Sequence, residues 1–505
     1  MCPGRRGCVA AMGDMTTLND SDPHHEVIVV GSGFAGLCMG VHLRRAGIED
    51  FVILEKDKQF GGTWQANDYP GAACDVPVHL YSFSFAQRAG WSRRFPSRQE
   101  LWEYTQRIAE DFGLMPHIQV ATGMEGASYD EDRALWHVRT ARGAMSARVL
   151  VSATGALSHP SIPELPGLET FAGRAFHSSR WDRSYNLRGK RVAVIGTGAS
   201  AIQFVPQIAP NVAQLALFQR TPPWILPRPD RRMTAIENRL LESVPLLRSL
   251  YRLKTYPAHE VRALALVYYP ALAAPFRQMA LRHLKRQIAD PKLRARLTPS
   301  YALGCKRVLL SNDYYPTLER PNVQLITDGI AKVRFRSIVT QSGQEHPVDA
   351  IIFGTGFYVE HAMAPVPIRG AGGALLHEVG EGGLEGYKGC AVAGFPNYFM
   401  IAGPNTGTGH NSMIYMIEAC AQYVTQAIRK LREDGLLSLD VKPSVQARYN
   451  RTIQKRLARS VWASGCKSWY LDHTGRNRTL WPGFTFAFQR ITRRFDKGNY
   501  VSRRR

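Results

Sequence analysis

The sequence predicts an α/β protein with two Rossmann-like dinucleotide-binding domains and a small helical insertion. Two buried strands, at 26–30 and 191–195, are each followed at once by a glycine-rich turn and a helical stretch. Two later apolar segments, at 150–155 and 350–356, both end in Thr-Gly, as expected of strands that return the chain to a nucleotide site. Together these segments indicate that the two nucleotide domains are interleaved along the chain.

The first turn has the spacing of a dinucleotide-binding fingerprint. The strand Glu26–Val30 leads into Gly31, Gly33 and Gly36, and the next strand ends at Glu55. The first glycine permits the tight turn, the second admits a pyrophosphate to the backbone, and the third lets the helix pack on the strand. The helix N-terminus offers unpaired N–H groups to the phosphates. We therefore expect these three glycines and Glu55 to contact a dinucleotide.

The same arrangement recurs after the strand Arg191–Ile195. Here the turn runs from Gly196 through Gly198 to Ala201, and the fingerprint permits alanine in place of the third glycine. A helix and a second strand at 214–218 follow. Contacts with the second dinucleotide are expected from Thr197, Gly198, Ser200 and Gln203.

The two units differ in charge at one position. Glu55 lies 24 residues after Gly31, and Arg220 lies 24 residues after Gly196. A carboxylate there accepts hydrogen bonds from a bare ribose diol, whereas an arginine pairs with a 2′-phosphate. The first unit is therefore expected to hold FAD and the second NADPH, with Thr221 as a neighbouring contact. The alternative is that Arg220 is only a surface residue at a strand end.

Composition and charge exclude several classes of protein. Of the 505 residues, 45% are hydrophobic and 21% charged, which excludes disordered, collagen-like and coiled-coil architectures. The longest apolar run, 263–276, contains two prolines and is shorter than the roughly 20 residues of a transmembrane helix. The net charge of +23 is scattered along the chain without an RNA-binding or zinc-finger motif, so we expect no nucleic-acid partner.

The cysteines are not spaced as a paired active site. They lie at positions 2, 8, 38, 74, 305, 390, 420 and 466, and none forms a CxxC or CxxxxC pair. This argues against a thiol–disulfide active site and against a zinc cluster, and it fits a reducing cytoplasm. Residues 1–24 lack the continuous apolar region of a signal peptide. We expect a cytoplasmic protein that holds no metal.

Two longer patterns point to a known family. One is Gly61-Gly62-Thr63-Trp64 followed by Tyr69-Pro70-Gly71 and Asp75, and the other is Phe171, Gly173, His177, Trp181 and Asp182 at the spacing FxGxxxHxxxW(P/D). The chain resembles the type I Baeyer–Villiger monooxygenases, a family of class B flavin-dependent monooxygenases, over roughly residues 26–490. The related N- and S-oxidising flavin monooxygenases have a similar histidine segment, usually without the Trp-Pro or Trp-Asp ending.

The resemblance implies an enzyme that uses FAD, NADPH and O₂ to convert a ketone into an ester or lactone through a C4a-peroxyflavin. The family's Lys-Arg pair before a Tyr-Tyr segment is matched by Lys306-Arg307 before Tyr314-Tyr315. Carried over, Arg307 is the catalytic guanidinium that stabilises the peroxide anion, Asp75 is its partner, and Lys306 contacts the 2′-phosphate. The alternative is a surface dibasic pair.

Further flavin contacts are implied at Thr63, Trp64, Asp75, Tyr81 and Met413. Met413 begins a long amphipathic helix whose start points at the flavin in this family. His177 lies between the two nucleotide turns, so we expect it to orient a linker and do not assign it as an acid or a base.

The expected segments are a disordered leader at 1–24, the first part of the FAD domain at 25–158, the NADPH domain at 159–345 with a helical insertion at about 230–300, the second part of the FAD domain at 346–490, and a solvated basic tail at 491–505. Within the insertion, Tyr268, Tyr269 and Pro270 could line a pocket or rest against lipid, and ordinary helix packing is an equal alternative. No sequence feature specifies the ketone or the oligomeric state.

Three rival functions stay open. Oxidation of sulfides or amines uses the same cofactors and is separated only by product analysis. A reductase of the disulfide oxidoreductase class is disfavoured by the missing cysteine pair. A basic, non-enzymatic binding protein would be retained on DNA and would consume no NADPH.

Overall fold

The computed structural model describes residues 22–359, 366–380 and 383–504. The strands are β1 His24–Val30, β2 Phe51–Leu54, β3 Ile118–Gln119, β4 Met124–Asp130, β5 Leu135–Thr140, β6 Gly143–Ser152, β7 Arg174–His177, β8 Arg191–Ile195, β9 Gln214–Phe218, β10 Ile225–Leu226, β11 Leu309–Leu310, β12 Val323–Ile326, β13 Ile330–Arg334, β14 Ser337–Thr340, β15 Glu345–Pro347, β16 Ala350–Phe353, β17 Ile368–Arg369, β18 Tyr398–Met400, β19 Leu436–Val441 and β20 Tyr500–Arg504. The α-helices are α1 Phe34–Arg45, α2 Thr63–Ala66, α3 Arg98–Asp111, α4 Ala201–Ile208, α5 Ala235–Ser243, α6 Pro245–Glu260, α7 Ala274–Gln287, α8 Pro291–Leu297, α9 Tyr314–Leu318, α10 Met413–Glu433, α11 Pro443–Leu457 and α12 Thr485–Thr492.

The first sheet has the order β17-β4-β5-β6-β1-β2-β3, and β18 also pairs with β6. Strands β1, β2, β3, β6 and β18 run parallel, while β4, β5 and β6 pair antiparallel. Val27, Ile28 and Val29 of β1 are fully buried because apolar side chains cover both faces of this strand. One face packs against α1, α3 and α10, which places the first glycine-rich turn at the carboxyl end of β1.

The second sheet is wholly parallel and has the order β12-β9-β8-β16-β7. Its strands come from 174–353, so the chain leaves the first sheet after β6 and returns to it at β17 and β18. A discontinuous first domain with a second domain inserted into it follows from this order, and the predicted fold class is confirmed.

The expected domain boundary between 345 and 346 is wrong. Strand β16 pairs with β8 and β7, so the inserted domain continues at least to Phe353. The sequence could not decide this, because β6 and β16 both close on an apolar segment and are both followed, after one intervening residue, by Thr-Gly. Only the pairing shows that β6 returns to the first turn and β16 to the second.

The expected basic tail has exposed basic side chains, but its backbone forms a strand. Strand β20 pairs antiparallel with β19, from Leu436 opposite Arg504 to Val441 opposite Tyr500. The backbone groups of β19 are satisfied by this pairing, which is why a basic segment joins a sheet. At the other end, residues 1–21 of the expected leader lie outside the described residues, and His24 already belongs to β1.

The helical insertion runs from α5 to α8, at 235–297, between the paired short strands β10 and β11. In the described ranges, none of the helices is both long enough and apolar enough to cross a lipid bilayer.

Candidate active site

The first glycine-rich turn is closed by tight backbone contacts. Gly31 has a φ of 105°, and a Cβ there would lie 2.6 Å from the carbonyl oxygen of Ala153. A Cβ on Gly36 would lie 1.8 Å from the carbonyl oxygen of Gly31, so the start of α1 lies directly on the turn. Gly62 lies against Gly33, because a Cβ on Gly62 would be 2.7 Å from the Cα of Gly33. Two expected flavin-contacting segments therefore meet at the N-terminus of α1.

Glu55 lies where the fingerprint requires an acidic residue. It follows β2 directly and is buried. Its carboxylate accepts hydrogen bonds from the backbone and hydroxyl of Ser32, and from the backbone N–H of Asp57 at 3.0 Å. The carboxylate is therefore fixed beside the turn.

The second turn repeats this geometry with a difference of one residue. Gly196 has the same φ of 105°, and a Cβ there would lie 2.5 Å from the carbonyl oxygen of Gly354, the residue after β16. The strand pairing sets Val30 opposite Leu54 in the first unit and Ile195 opposite Phe218 in the second.

The residue equivalent to Glu55 is therefore Gln219, and the predicted equivalence of Arg220 is wrong. The segment from the glycine-rich turn to the end of the next strand is one residue shorter in the second unit. Counting 24 residues from Gly196 therefore reaches one residue past the equivalent position. Gln219 is buried, and its side-chain amide donates to the carbonyl oxygen of Arg296 at 2.8 Å. Arg220 comes next in the chain and is exposed, which leaves its guanidinium available to a ligand.

Arg220 and Lys306 are close enough to interact through their charges. Burial lowers the pKa of Lys306, and the charge of Arg220 lowers it further. The Lys306 ammonium also lies 4.9 Å from the ring centroid of Tyr301. On the adjoining turn, the Thr197 hydroxyl donates to the carbonyl oxygen of Thr221 at 3.3 Å. Two cations that repel each other at the end of a strand favour binding of an anion.

Arg307 and Asp75 form the bidentate ion pair that the sequence predicts. Arg307 Nη2 lies 2.8 and 2.6 Å from the two carboxylate oxygens of Asp75, and Nε lies 3.0 Å from Oδ2. The pair spans 232 positions and joins the first part of the chain to the inserted domain. Arg307 Nη1 has no hydrogen-bond partner among the described residues, and 35% of the side chain is exposed.

Both members of this pair are charged over a wide pH range. The Asp75 charge raises the pKa of Arg307 above its ordinary value. Burial raises the pKa of Asp75, but the charge and hydrogen bonds of Arg307 outweigh burial, so the pKa lies below its ordinary value. The result is a fixed guanidinium with one nitrogen free to donate.

Trp64 and Tyr81 pack near this pair. Their rings meet edge to face, with centroids 5.6 Å apart. Burial raises the pKa of the Tyr81 phenol, which is therefore neutral. Thr63, in contrast, is exposed at the start of the short helix α2.

Gln203 contacts a protein loop rather than facing an open turn. Its side-chain oxygen accepts from the Tyr69 hydroxyl at 3.0 Å and from the Ala73 N–H at 3.3 Å, and its Nε2 donates to the Ala73 carbonyl at 2.9 Å. Ser200, one turn earlier, lowers the pKa of Tyr69 by hydrogen bonding, although burial still raises it to about 12. Gln203 thus fixes the loop that leads to Asp75.

Met413 opens α10 as expected and is partly buried. Just before it, the Ser412 hydroxyl accepts from the Ile414 N–H at 3.2 Å. The Asn411 side chain donates to the carboxylate of Glu260, which also accepts from the Thr485 hydroxyl at 2.9 Å. Glu260 therefore joins the helical insertion to the start of α10, a contact that no sequence pattern indicated.

His177 is suited to a structural role. It ends β7 beside Phe353 of β16, and its Nδ1 accepts from the Ser179 N–H at 3.2 Å. Burial lowers its pKa to about 4, so the imidazole is neutral near pH 7. Gly173 of the same pattern lies against the inserted sheet, because a Cβ there would be 2.3 Å from the carbonyl oxygen of Asp349.

The spacing of the cysteines did not predict a disulfide that lies beside the Arg307–Asp75 ion pair. Cys305 and Cys466 form a disulfide, although they are 161 positions apart. The absence of a CxxC pair therefore does not exclude disulfides, and it no longer supports a reducing compartment. The disulfide ties the residue before Lys306 to the loop that carries Tyr470. Burial raises the pKa of Tyr470 to about 12, and Arg307 acts in the opposite direction.

Comparison with known proteins gives one consistent result. Residues 28–265 match a family model described as pyridine nucleotide-disulphide oxidoreductase. A Baeyer–Villiger monooxygenase from Pseudomonas aeruginosa is 48% identical over 94% of this chain and 91% of its own length. One from Streptomyces coelicolor is 46% identical over 94% of this chain and 92% of its own.

Solved structures agree with these relatives. An oxidised steroid monooxygenase bound to NADP is 29% identical, with a TM-score of 0.85 over 95% of this chain and all of its own. Cyclohexanone monooxygenase in its closed form is 25% identical, with a TM-score of 0.86 over 96% of this chain and all of its own. The identity of 46–48% to the two curated relatives, over more than nine tenths of their length, shows that the chain belongs to the Baeyer–Villiger monooxygenases.

Proposed function

We propose that this protein uses FAD, NADPH and O₂ to convert ketones into esters or lactones, with Arg307 at the reacting atoms. The observation that carries the proposal is the bidentate Arg307–Asp75 pair, which joins the two parts of the chain that hold the nucleotide turns. Sequence identity to the family supports the reaction class, and the pair supports the assignment of the catalytic group.

The first turn fits FAD. Gly31, Gly36 and Gly62 leave no room for a Cβ, so the backbone lies close together at the start of α1, where N–H groups are available to phosphates. The fixed carboxylate of Glu55 accepts hydrogen bonds from the ribose hydroxyls. When bound, reduced FAD supplies the activation of O₂ for transfer of one oxygen atom to the substrate.

The second turn fits NADPH. Gly196 and Gly354 approach as closely as their counterparts do in the first turn. Exposed Arg220 and neighbouring Lys306 bind the 2′-phosphate, whose negative charge removes their mutual repulsion.

Arg307 stabilises negative charge during oxygen transfer. Asp75 accepts hydrogen bonds from two nitrogens of Arg307 and keeps the guanidinium charged, while Nη1 is free to donate. A preorganised cation acts most strongly where charge develops in the transition state, here on the attacking oxygen and on the former carbonyl oxygen of the ketone. A lysine could lose its proton at this place, whereas an arginine keeps it.

A ketone panel tests the reaction class. The purified protein with NADPH is offered linear, cyclic, aryl and steroid ketones, and mass spectrometry measures the gain of one oxygen atom. We expect ester or lactone products from at least one class. Products only from sulfides or amines would contradict the proposal and favour heteroatom oxidation.

Replacing Arg220 with Ala tests the 2′-phosphate assignment. Loss of one charge-assisted contact should raise the KM for NADPH by about tenfold, with little change in the KM for NADH. Gln219→Ala is the matched control, because Gln219 occupies the position equivalent to Glu55 but is bonded to Arg296. Equal effects of Arg220→Ala on both coenzymes, or a selective effect of Gln219→Ala, would refute the assignment.

A further inference from the structure

The helical insertion carries an apolar surface that is exposed to solvent. On α6 and the residue that ends it, Leu246, Leu250, Leu253 and Val261 are 67%, 48%, 66% and 59% exposed. Their spacing of four, three and eight residues sets them along one side of the helix. Contiguous exposed apolar side chains of this kind mark interaction sites.

The opposite side of α6 is bonded to the protein. Arg248 donates to the carbonyl oxygen of Gln87 at 2.8 Å, and Arg252 donates to that of Ser82 at 2.7 Å. These polar anchors hold the helix with Arg248 and Arg252 inward and the leucines outward. The leucine side of α6 is thus left uncovered by the rest of the protein, which favours an apolar partner outside it.

The apolar surface continues beyond α6 through stacked aromatic rings. Tyr268 stacks on Phe484, and Phe484 stacks on Phe486, with centroids 5.0 Å apart in each case. Tyr269 and Phe486 are exposed. We call this surface, comprising Leu246, Leu250, Leu253, Val261, Tyr269 and Phe486, the insertion face.

The surroundings of the insertion face are strongly basic. Between 235 and 287 the chain has nine lysines and arginines and three acidic residues. Arg248 and Arg252 are the inward anchors, which leaves seven basic residues. Two of the three acids are already engaged, since Glu260 is buried and Glu237 pairs with Arg231 at 2.6 Å. Lys254 and Arg277 are exposed and have no ion-pair partner within the described ranges. A second copy would bring like charges together, whereas an anionic surface complements them.

We propose that the insertion face docks this enzyme on an anionic lipid bilayer. Leucine and aromatic side chains enter the boundary between headgroups and acyl chains, and Lys254 and Arg277 contact the lipid phosphates. The contact is peripheral, since no helix in the described part of the chain could span the bilayer.

Sedimentation with vesicles tests the proposal without any catalytic step. The full-length protein is mixed with vesicles of phosphatidylcholine alone or of phosphatidylcholine with phosphatidylglycerol. We expect binding to the mixed vesicles that weakens as salt is added. Leu250→Ser combined with Leu253→Ser should lower this partitioning at least tenfold. Phe335→Ser is the control, since Phe335 is equally exposed on the β13–β14 turn and should leave partitioning unchanged.

Thermal unfolding and bound-flavin content establish that each variant is folded. Equal binding to both vesicle types, no binding to either, or undiminished binding by the leucine variant would overturn the proposal. Sedimentation velocity tests whether a second copy of the chain binds the insertion face instead of a lipid bilayer. If the protein self-associates, and the leucine substitutions abolish that association, the insertion face is an interface between copies instead.

Discussion

Replacing Arg307 with Ala should lower the rate of ester formation by about 10³-fold while leaving the reduction of bound flavin by NADPH nearly intact. Arg307 is bound to Asp75 through Nε and Nη2, and Nη1, which has no hydrogen-bond partner among the described residues, is the nitrogen that we propose to face the reacting atoms. Removing one preorganised donor from a catalytic site costs about 10²–10³-fold in rate, and removing a permanent charge as well should reach the upper part of that range. Anaerobic stopped-flow absorbance measures flavin reduction, and mass spectrometry of a ketone turnover measures the product.

Arg307→Lys separates charge from geometry. A lysine preserves a positive charge but cannot form the bidentate pair with Asp75. We expect partial ester formation that declines as the pH rises toward the pKa of the lysine, a decline that the wild-type arginine should not show. Ester formation at the wild-type rate by Arg307→Ala would refute the role assigned to Arg307. A parallel loss of flavin reduction would show that its role is structural.

Gly36→Ala should give a destabilised protein that fails to retain flavin. The added Cβ would lie 1.8 Å from the carbonyl oxygen of Gly31, and backbone rather than a flexible side chain stands in its way. Helix α1 must move off the turn, which costs about 1–3 kcal/mol by the usual penalty for overpacking and disturbs the N–H groups that face the phosphates. Thermal unfolding measures the first effect, and the flavin absorbance of the purified protein measures the second.

Gly498→Ala is the matched control for this substitution. Nothing lies within 4 Å of a Cβ at Gly498, and its backbone does not require a positive φ. Ala201 holds the corresponding place in the second turn, so the second turn accommodates the Cβ that the first turn excludes. A yellow Gly36→Ala protein with wild-type thermal stability would contradict the steric argument.

The sequence predicted those features that depend on local pattern. Apolar strands followed by glycines placed both nucleotide turns, and the boundaries of β8 and β9 match the expected strands. The Arg307–Asp75 pair was predicted only through family resemblance, since nothing local links residues 232 positions apart.

The errors all concern pairings between distant segments. Whether β16 joins the first or the second sheet depends on its neighbours, and so does the disulfide between Cys305 and Cys466. Arg220 was chosen instead of Gln219 because the count assumed connections of equal length in the two units. The strand register shows that the second connection is one residue shorter. The tail pairs with β19 to form a separate two-stranded sheet, and nothing in the tail itself identifies that distant partner.

The three hydrogen bonds of Gln203 have a mechanical consequence. Gln203 belongs to helix α4 of the inserted domain, but it forms hydrogen bonds with the loop that ends at Asp75 in the first part of the chain. Arg228 grips the same loop through the Cys74 carbonyl at 3.1 Å. Any rotation of the inserted domain must either lengthen these hydrogen bonds or move the Asp75 carboxylate with the domain. The position of the Asp75 carboxylate, the counter-ion of Arg307, therefore depends on the position of the inserted domain.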